Sequence, residues 1–129
     1  HARNMERGQT PNTPAVGILL ELHQRLLTLQ GTGLAQEQTV IKMRADYFRR
    51  KVRQMGIQLP VYPLSNALTP LLFQEGAQQL YQYLKKNCDI TLTPSGGALR
   101  DRLLRVGHLG NLTLKDYDAL CAGLKEYGI

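Results

Sequence analysis

Two short segments of this 129-residue chain carry side chains that could do chemistry. The first is Thr10-Pro11-Asn12-Thr13-Pro14. It sets two hydroxyls just ahead of a helical pattern, where free backbone N–H groups and the helix dipole favour an anion, phosphate above all. Plain capping by Thr13 accounts for the same residues and is the simpler reading of that segment taken alone. The second is Gly96-Gly97-Ala98-Leu99-Arg100 followed by Leu104-Arg105-Val106-Gly107-His108-Leu109-Gly110. Arg105 lies between apolar neighbours in a strand pattern, and Gly107 and Gly110 leave room for a ligand beside the backbone. A guanidinium holds a carboxylate by two parallel hydrogen bonds. Spacing alone favours an ordinary surface arginine.

The remaining reactive side chains read as structural. His108 could be an acid–base group or a metal ligand, but a lone histidine beside a turn is commonly structural or exposed. His23 falls on the apolar stripe of its helix and reads as an interface or satisfied core residue. Cys88 and Cys121 have no spacing that would hold a metal, and both read as buried free thiols of a cytoplasmic protein. No Ser/His/Asp triad, phosphate loop or carboxylate pair is legible. The lysines sit on helix surfaces and turns, none in a context that suggests a Schiff base.

These residues need elements to hold them. Thr13-Pro14 opens a helix whose apolar positions Val16, Leu19, Leu20, His23, Leu26 and Leu27 recur at helical spacing, with Gly31 and Gly33 ending it. A second helix covers roughly 35–55, with Ile41, Ala45, Phe48, Val52 and Met55 on one face. The basic cluster Arg44, Arg49, Arg50, Lys51 and Arg53 is expected on its solvated face. Residues 56–63 and 66–74 read as two proline-marked strands. A short helix over 76–86 follows, with Ala77, Leu80, Tyr81 and Leu84 inward. Asp89 to Thr93 alternates as a strand, 94–97 is a turn, and Leu103 to Leu109 is another strand. The last helix starts at Thr113, where Thr113 and Asp116 have capping-box spacing, and carries Tyr117, Leu120, Cys121 and Leu124 inward. The pattern predicts an α/β domain of the α+β type, with a small, largely antiparallel sheet covered by helices.

Composition sets the outer bounds. With 43% hydrophobic residues the chain has material for one core. No apolar run approaches the ~18 residues that span a bilayer, so no membrane is expected. The net charge of +6 permits an anionic partner or nucleic acid without establishing either. With Phe48 and Phe73 its only phenylalanines and no tryptophan, the chain lacks an aromatic-rich basic strand for base stacking, so no nucleic acid is expected. A non-catalytic basic module for an anion or nucleic acid remains the alternative.

Both candidate segments resemble a known family. Arg7-Gly8-Gln9-Thr10-Pro11-Asn12-Thr13-Pro14-Ala15-Val16 is similar to the stretch that follows the cofactor lysine in class V pyridoxal-phosphate-dependent aminotransferases. Residues 92–113, with a Gly-rich turn, a spacer and then LRVGHLG, resemble the segment near their C-terminus and are the more specific match. The alanine–glyoxylate, serine–pyruvate and 2-aminoethylphosphonate–pyruvate aminotransferases look most similar. The resemblance covers nearly the whole chain. It implies an entry loop over 1–13 and the C-terminal small domain of a fold-type I enzyme over 14–129.

That resemblance implies roles. Arg105 would bind the substrate carboxylate or phosphonate. Thr13, and more weakly Thr10, would contact the phosphate of the neighbouring subunit's pyridoxal 5'-phosphate across a homodimer interface. Partners would be small amino acids and 2-oxo acids such as pyruvate or glyoxylate. The family's Schiff-base lysine and its pyridine-pairing aspartate would both lie before His1. The isolated chain is therefore expected to bind the cofactor weakly or not at all, to have no transaminase activity and to be a fragment of a longer enzyme. Its first helix is expected to expose an apolar face that drives self-association.

Overall fold

A computed structural model of the chain describes residues 6–8 and 15–129. Its contacts divide into two units, residues 1–37 and 38–129. The first contains helix α1 (Val16–Thr32), and the second helix, α2 (Leu34–Gln54), begins in it. α1 starts at Val16 with Ala15 at its N-cap and no side-chain cap. The expected opening at Thr13-Pro14 lies outside the described residues. Gly33, at φ 85°, supplies the left-handed residue that ends the helix, and its N–H reaches Leu29 O. No residue of α1 is buried, and Val16, Leu19, Leu20, Leu26 and Leu27 are all exposed.

The second unit is built around a three-stranded antiparallel sheet. β1 (Leu68–Leu72), β2 (Thr93–Pro94) and β3 (Leu103–Gly107) stand in the order β1-β3-β2, so β3 is central. Helix α3 (Ala77–Asn87) follows β1, and α4 (Leu114–Tyr127) follows β3. β1 tolerates Pro70 because it is an edge strand. Leu72 N–H points away from β3 to Gln58 O at 3.2 Å, and Pro70, two residues earlier, lacks its donor on that same side. The small antiparallel sheet with its helices is the architecture that the sequence pattern predicts.

All four expected strands shrink, those at 66–74 and 103–109 to the shorter β1 and β3. Residues 56–63 give only the isolated bridge Gln58↔Leu72, because Pro60 and Pro63 remove the donors a longer pairing would need. The strand expected at Asp89–Thr93 is displaced to Thr93–Pro94. Asp89 takes φ 55°, a left-handed conformation Asp accepts, and Ile90 N–H turns back to Leu84 O at 3.0 Å. Those residues terminate α3 and are not free to pair. The expected turn at 94–97 continues as a 3-10 turn at Gly97–Leu99.

The core gathers the predicted stripes. Phe48 and Val52 of α2, Leu71 of β1, Leu80 and Leu84 of α3, Leu104 and Val106 of β3, and Tyr117, Leu120 and Leu124 of α4 are buried together. The inward face of the sheet is Thr69, Leu71, Leu104 and Val106, and the same alternation carries on to His108. Leu103, Arg105 and Gly107 lie on the opposite face. Two caps fix the helices around this core. Asp101 accepts from Gly76 N–H at 3.0 Å and Gln78 N–H at 3.1 Å, which caps α3 from a residue remote in sequence. Asp116 accepts from Thr113 N–H at 2.6 Å, as the capping-box spacing requires, and also from the Thr113 hydroxyl at 2.8 Å. Both cysteines are free, with Cys121 buried and Cys88 half-buried. No helix among the described residues is long and apolar enough to cross a membrane.

Candidate functional site

Arg105 occupies the middle of the central strand. It stands between Pro70 of β1 and Thr93 of β2 in the pairing register. Its half-buried side chain lies on the sheet face turned away from the helices' core. Nη2 donates to Pro94 O at 3.1 Å. Nε is buried and has no hydrogen-bond partner. None of the ion pairs among the described residues involves Arg105. An unmade donor on a buried guanidinium is costly. An acceptor that supplies two oxygens in the plane of the fork would satisfy it, and a carboxylate has that geometry. Next to it, Gly107 opens onto free space, since a Cβ there would meet nothing within 4 Å. Gly110 answers a different need, because its φ of 88° is a conformation that favours glycine.

His108 is on the other face and is fully buried. Its Nε2 lies 2.7 Å from Thr69 Oγ1, and its Nδ1 lies 3.1 Å from the Tyr117 hydroxyl. Arg49 Nε donates to the same Thr69 hydroxyl at 2.9 Å, and Arg49 Nη2 donates to Ser65 O and Leu68 O. Arg44 Nη1 donates to His108 O at 3.4 Å and to Gly110 O at 2.9 Å. Desolvation, reinforced by the positive charges of Arg49 and Arg44, pushes the His108 pKa down to about 4. His108 is therefore a neutral structural residue near neutral pH. The groups of His, Cys, Asp and Glu that could hold a metal ion number none among the described residues.

Thr10 and Thr13 lie outside the described residues. Sequence reasoning missed Arg49, Thr69 and Tyr117 as a group. Arg49 was expected on a solvated face, but it is buried, with 8% of its surface exposed. It lies one position after Phe48 on α2, close enough to the apolar stripe to turn inward once polar acceptors wait there. Thr69 carried one signal, alternation with Leu71 on the inward face of β1.

Comparisons with known proteins agree on the fold. No family model matches the chain. A soluble hydrogenase 42 kDa subunit from Anabaena cylindrica is 25% identical over 124 residues, covering 92% of this chain and 32% of that protein. Among solved structures, an alanine–glyoxylate aminotransferase from Nostoc sp. superposes with a TM-score of 0.82 at 20% identity, over 91% of this chain and 32% of that one. A ureidoglycine–glyoxylate aminotransferase from Bacillus subtilis gives 0.75 at 16% identity, over 81% and 28%. A phosphoserine aminotransferase from Cytophaga hutchinsonii gives 0.74 at 13% identity, over 99% and 36%. The chain spans about a third of the length of these relatives. The chain shares the fold of the C-terminal domain of these aminotransferases.

Proposed function

We propose that this chain is the C-terminal domain of a pyridoxal-phosphate-dependent aminotransferase that moves an amino group between an amino donor and a small 2-oxo acid, pyruvate or glyoxylate. The observation that carries the reading is the buried, unpartnered Nε of Arg105 on the sheet face away from the core. Arg105 binds and orients the acid's carboxylate, which holds the reacting carbonyl at a fixed distance from the sheet. The cofactor, when bound, supplies the electron sink for chemistry at the substrate's α-carbon. Of this chain's residues, Thr10 and Thr13 are those with the chemistry to meet its phosphate, since two hydroxyls ahead of a helix suit an anion. They would do so across a homodimer interface, on the neighbouring subunit's cofactor. The same reading puts the enzyme in the cytoplasm, with which the free thiols of Cys88 and Cys121 are compatible.

The rival reading, a basic module for nucleic acid, loses support from the basic residues themselves. Arg49 and Arg44 spend their donors on Ser65, Leu68, Thr69, His108 and Gly110, while Lys51 pairs with Asp118 and Lys42 with Asp46. The name of the Anabaena relative is that of a hydrogenase subunit, and it adds no acceptor for Arg105. The test is steady-state kinetics on the natural full-length protein with glyoxylate or pyruvate as acceptor. Arg105→Ala should raise the KM for the acid by about ten- to a hundredfold, the loss of a charge-assisted pair of hydrogen bonds. An unchanged KM in a folded variant would sink the reading.

A further inference from the structure

We propose that His108 is a positioning residue for Arg105, locked as its Nδ1–H tautomer by a one-way hydrogen-bond chain that starts at Arg49 and runs through Thr69 to Tyr117. The positioning half rests on the carboxylate reading of Arg105, while the tautomer half does not.

Donor arithmetic gives the chain its direction. Arg49 Nε can only donate, so Thr69 Oγ1 accepts from it at 2.9 Å. The Thr69 hydroxyl proton then needs an acceptor of its own. Thr69 is fully buried, and the neighbour at hydrogen-bond distance that can accept is His108 Nε2, at 2.7 Å. Were Nε2 to carry a proton instead, the threonine hydroxyl would be left without an acceptor in the core, at a real free-energy cost. Nε2 is therefore unprotonated. A neutral ring then carries its proton on Nδ1 and donates to the Tyr117 oxygen at 3.1 Å. The Tyr117 hydroxyl passes its own proton on to Gly107 O at 3.4 Å. Each donor has an acceptor, and reversing any one link orphans another.

The chain closes on the strand that carries Arg105. It ties the end of β3 to β1 through Thr69, to α2 through Arg49 and to α4 through Tyr117. The backbone is held at the same place, with His108 N–H on Ala67 O at 2.9 Å and Arg44 on the carbonyls of His108 and Gly110. The rings of Phe48 and Tyr117 pack on the imidazole with centroids at 5.9 and 5.4 Å. Packing alone would be served by an apolar ring, without burying four polar side chains. Hydrogen bonds add what packing does not, a single register and rotation for the end of β3. Arg105 is two residues before Gly107 on the other face, so that rotation aims its guanidinium.

The test is nitrogen-15 NMR of the histidine side chains of the natural full-length protein at pH 7, with sodium pyruvate as the carboxylate probe. His108 should show a protonated Nδ1 and an unprotonated Nε2. Thr69→Ser keeps the hydroxyl and should keep that pattern, whereas Thr69→Val should abolish it. Pyruvate should shift the Arg105 Nε–H resonance of the parent and of Thr69→Ser, and should bind Thr69→Val about tenfold more weakly. Arg105→Ala should bind none in any background. A protonated Nε2 in the parent overturns the tautomer and the chain with it. Equal pyruvate affinity in a folded Thr69→Val that has lost the tautomer overturns the positioning role. Absence of pyruvate binding at Arg105 in the parent sinks the carboxylate reading and the positioning role together, and leaves the tautomer standing.

Discussion

Acid should unfold this protein through His108 before it does so through any carboxylate. The unfolded histidine titrates near 6.5, and the folded one near 4. Because the folded pKa is the lower, the unfolded chain binds the extra proton, so stability is lost as the pH falls below 6.5 and stops falling through this group near 4. Above about pH 8 neither state is charged and the group contributes no slope. With those two values the loss is about 2 kcal/mol at pH 5 and about 3 kcal/mol at pH 4. His108 is fully buried, so solvent screens its charge little. Asp46, Asp101, Asp116 and Asp118 are all held below the usual carboxylate range, by Lys42, by the N–H groups of Gly76 and Gln78, by Thr113 and by Lys51 in turn. Their stabilisation is lost only as the pH falls below the unfolded carboxylate value near 4, which leaves pH 5 to 7 for His108. The assay is urea unfolding of the parent and of His108→Gln at pH 7 and pH 5. The parent should lose about 2 kcal/mol more than the variant over that interval. Equal losses, or NMR titration of His108 in the parent with a midpoint near 6, would refute the reasoning.

Other consequences can be checked on the same chain. Thr69→Val leaves Arg49 Nε and His108 Nε2 without a partner in the core, so it should destabilise by about 2 kcal/mol in urea despite near-equal volume. Asp101→Ala removes the acceptor for Gly76 and Gln78 N–H and should cost about 1 kcal/mol, seen also as faster amide exchange in the first turn of α3. Gly123→Ala places a Cβ 3.0 Å from both Cys88 Sγ and Leu84 Cδ2, where α4 meets α3. Overpacking of about 1–3 kcal/mol should outweigh a helix-propensity gain of about 1 kcal/mol, so the variant should melt lower than the parent. Arg105→Ala, by contrast, should change the unfolding free energy by no more than about 0.5 kcal/mol, because loss of the Nη2 bond to Pro94 O is offset by removal of the buried Nε donor that has no partner.

Local sequence determined the elements whose signal is local. The stripe Ala45, Phe48, Val52, the cap at Thr113 and Asp116 and the inward row Tyr117, Leu120, Cys121, Leu124 follow from side-chain periodicity, and all stand in the fold as that periodicity requires. The strands expected at 66–74 and 103–109 were legible too, the first from its apolar and β-branched residues, and they stand as the shorter 68–72 and 103–107, the latter with alternating burial. The segment around Arg105 could be picked out by residue type and spacing. What spacing left open was whether its guanidinium already had a partner. Only the folded chain decides that, by placing Pro94 O on one nitrogen and nothing on Nε. Tertiary structure also overruled two local patterns. Residues 89–93 alternate like a strand, but Asp89 and Ile90 serve to end α3, and residues 56–63 are apolar enough for a strand but lack the donors for one. The group Arg49, Thr69, His108 and Tyr117 lay beyond any reading of the sequence alone. Its members are 20, 39 and 9 residues apart along the chain. Hydrogen bonding carries no periodicity in sequence, and a buried arginine is distinguishable from a surface one only by the acceptors that the rest of the fold brings to it.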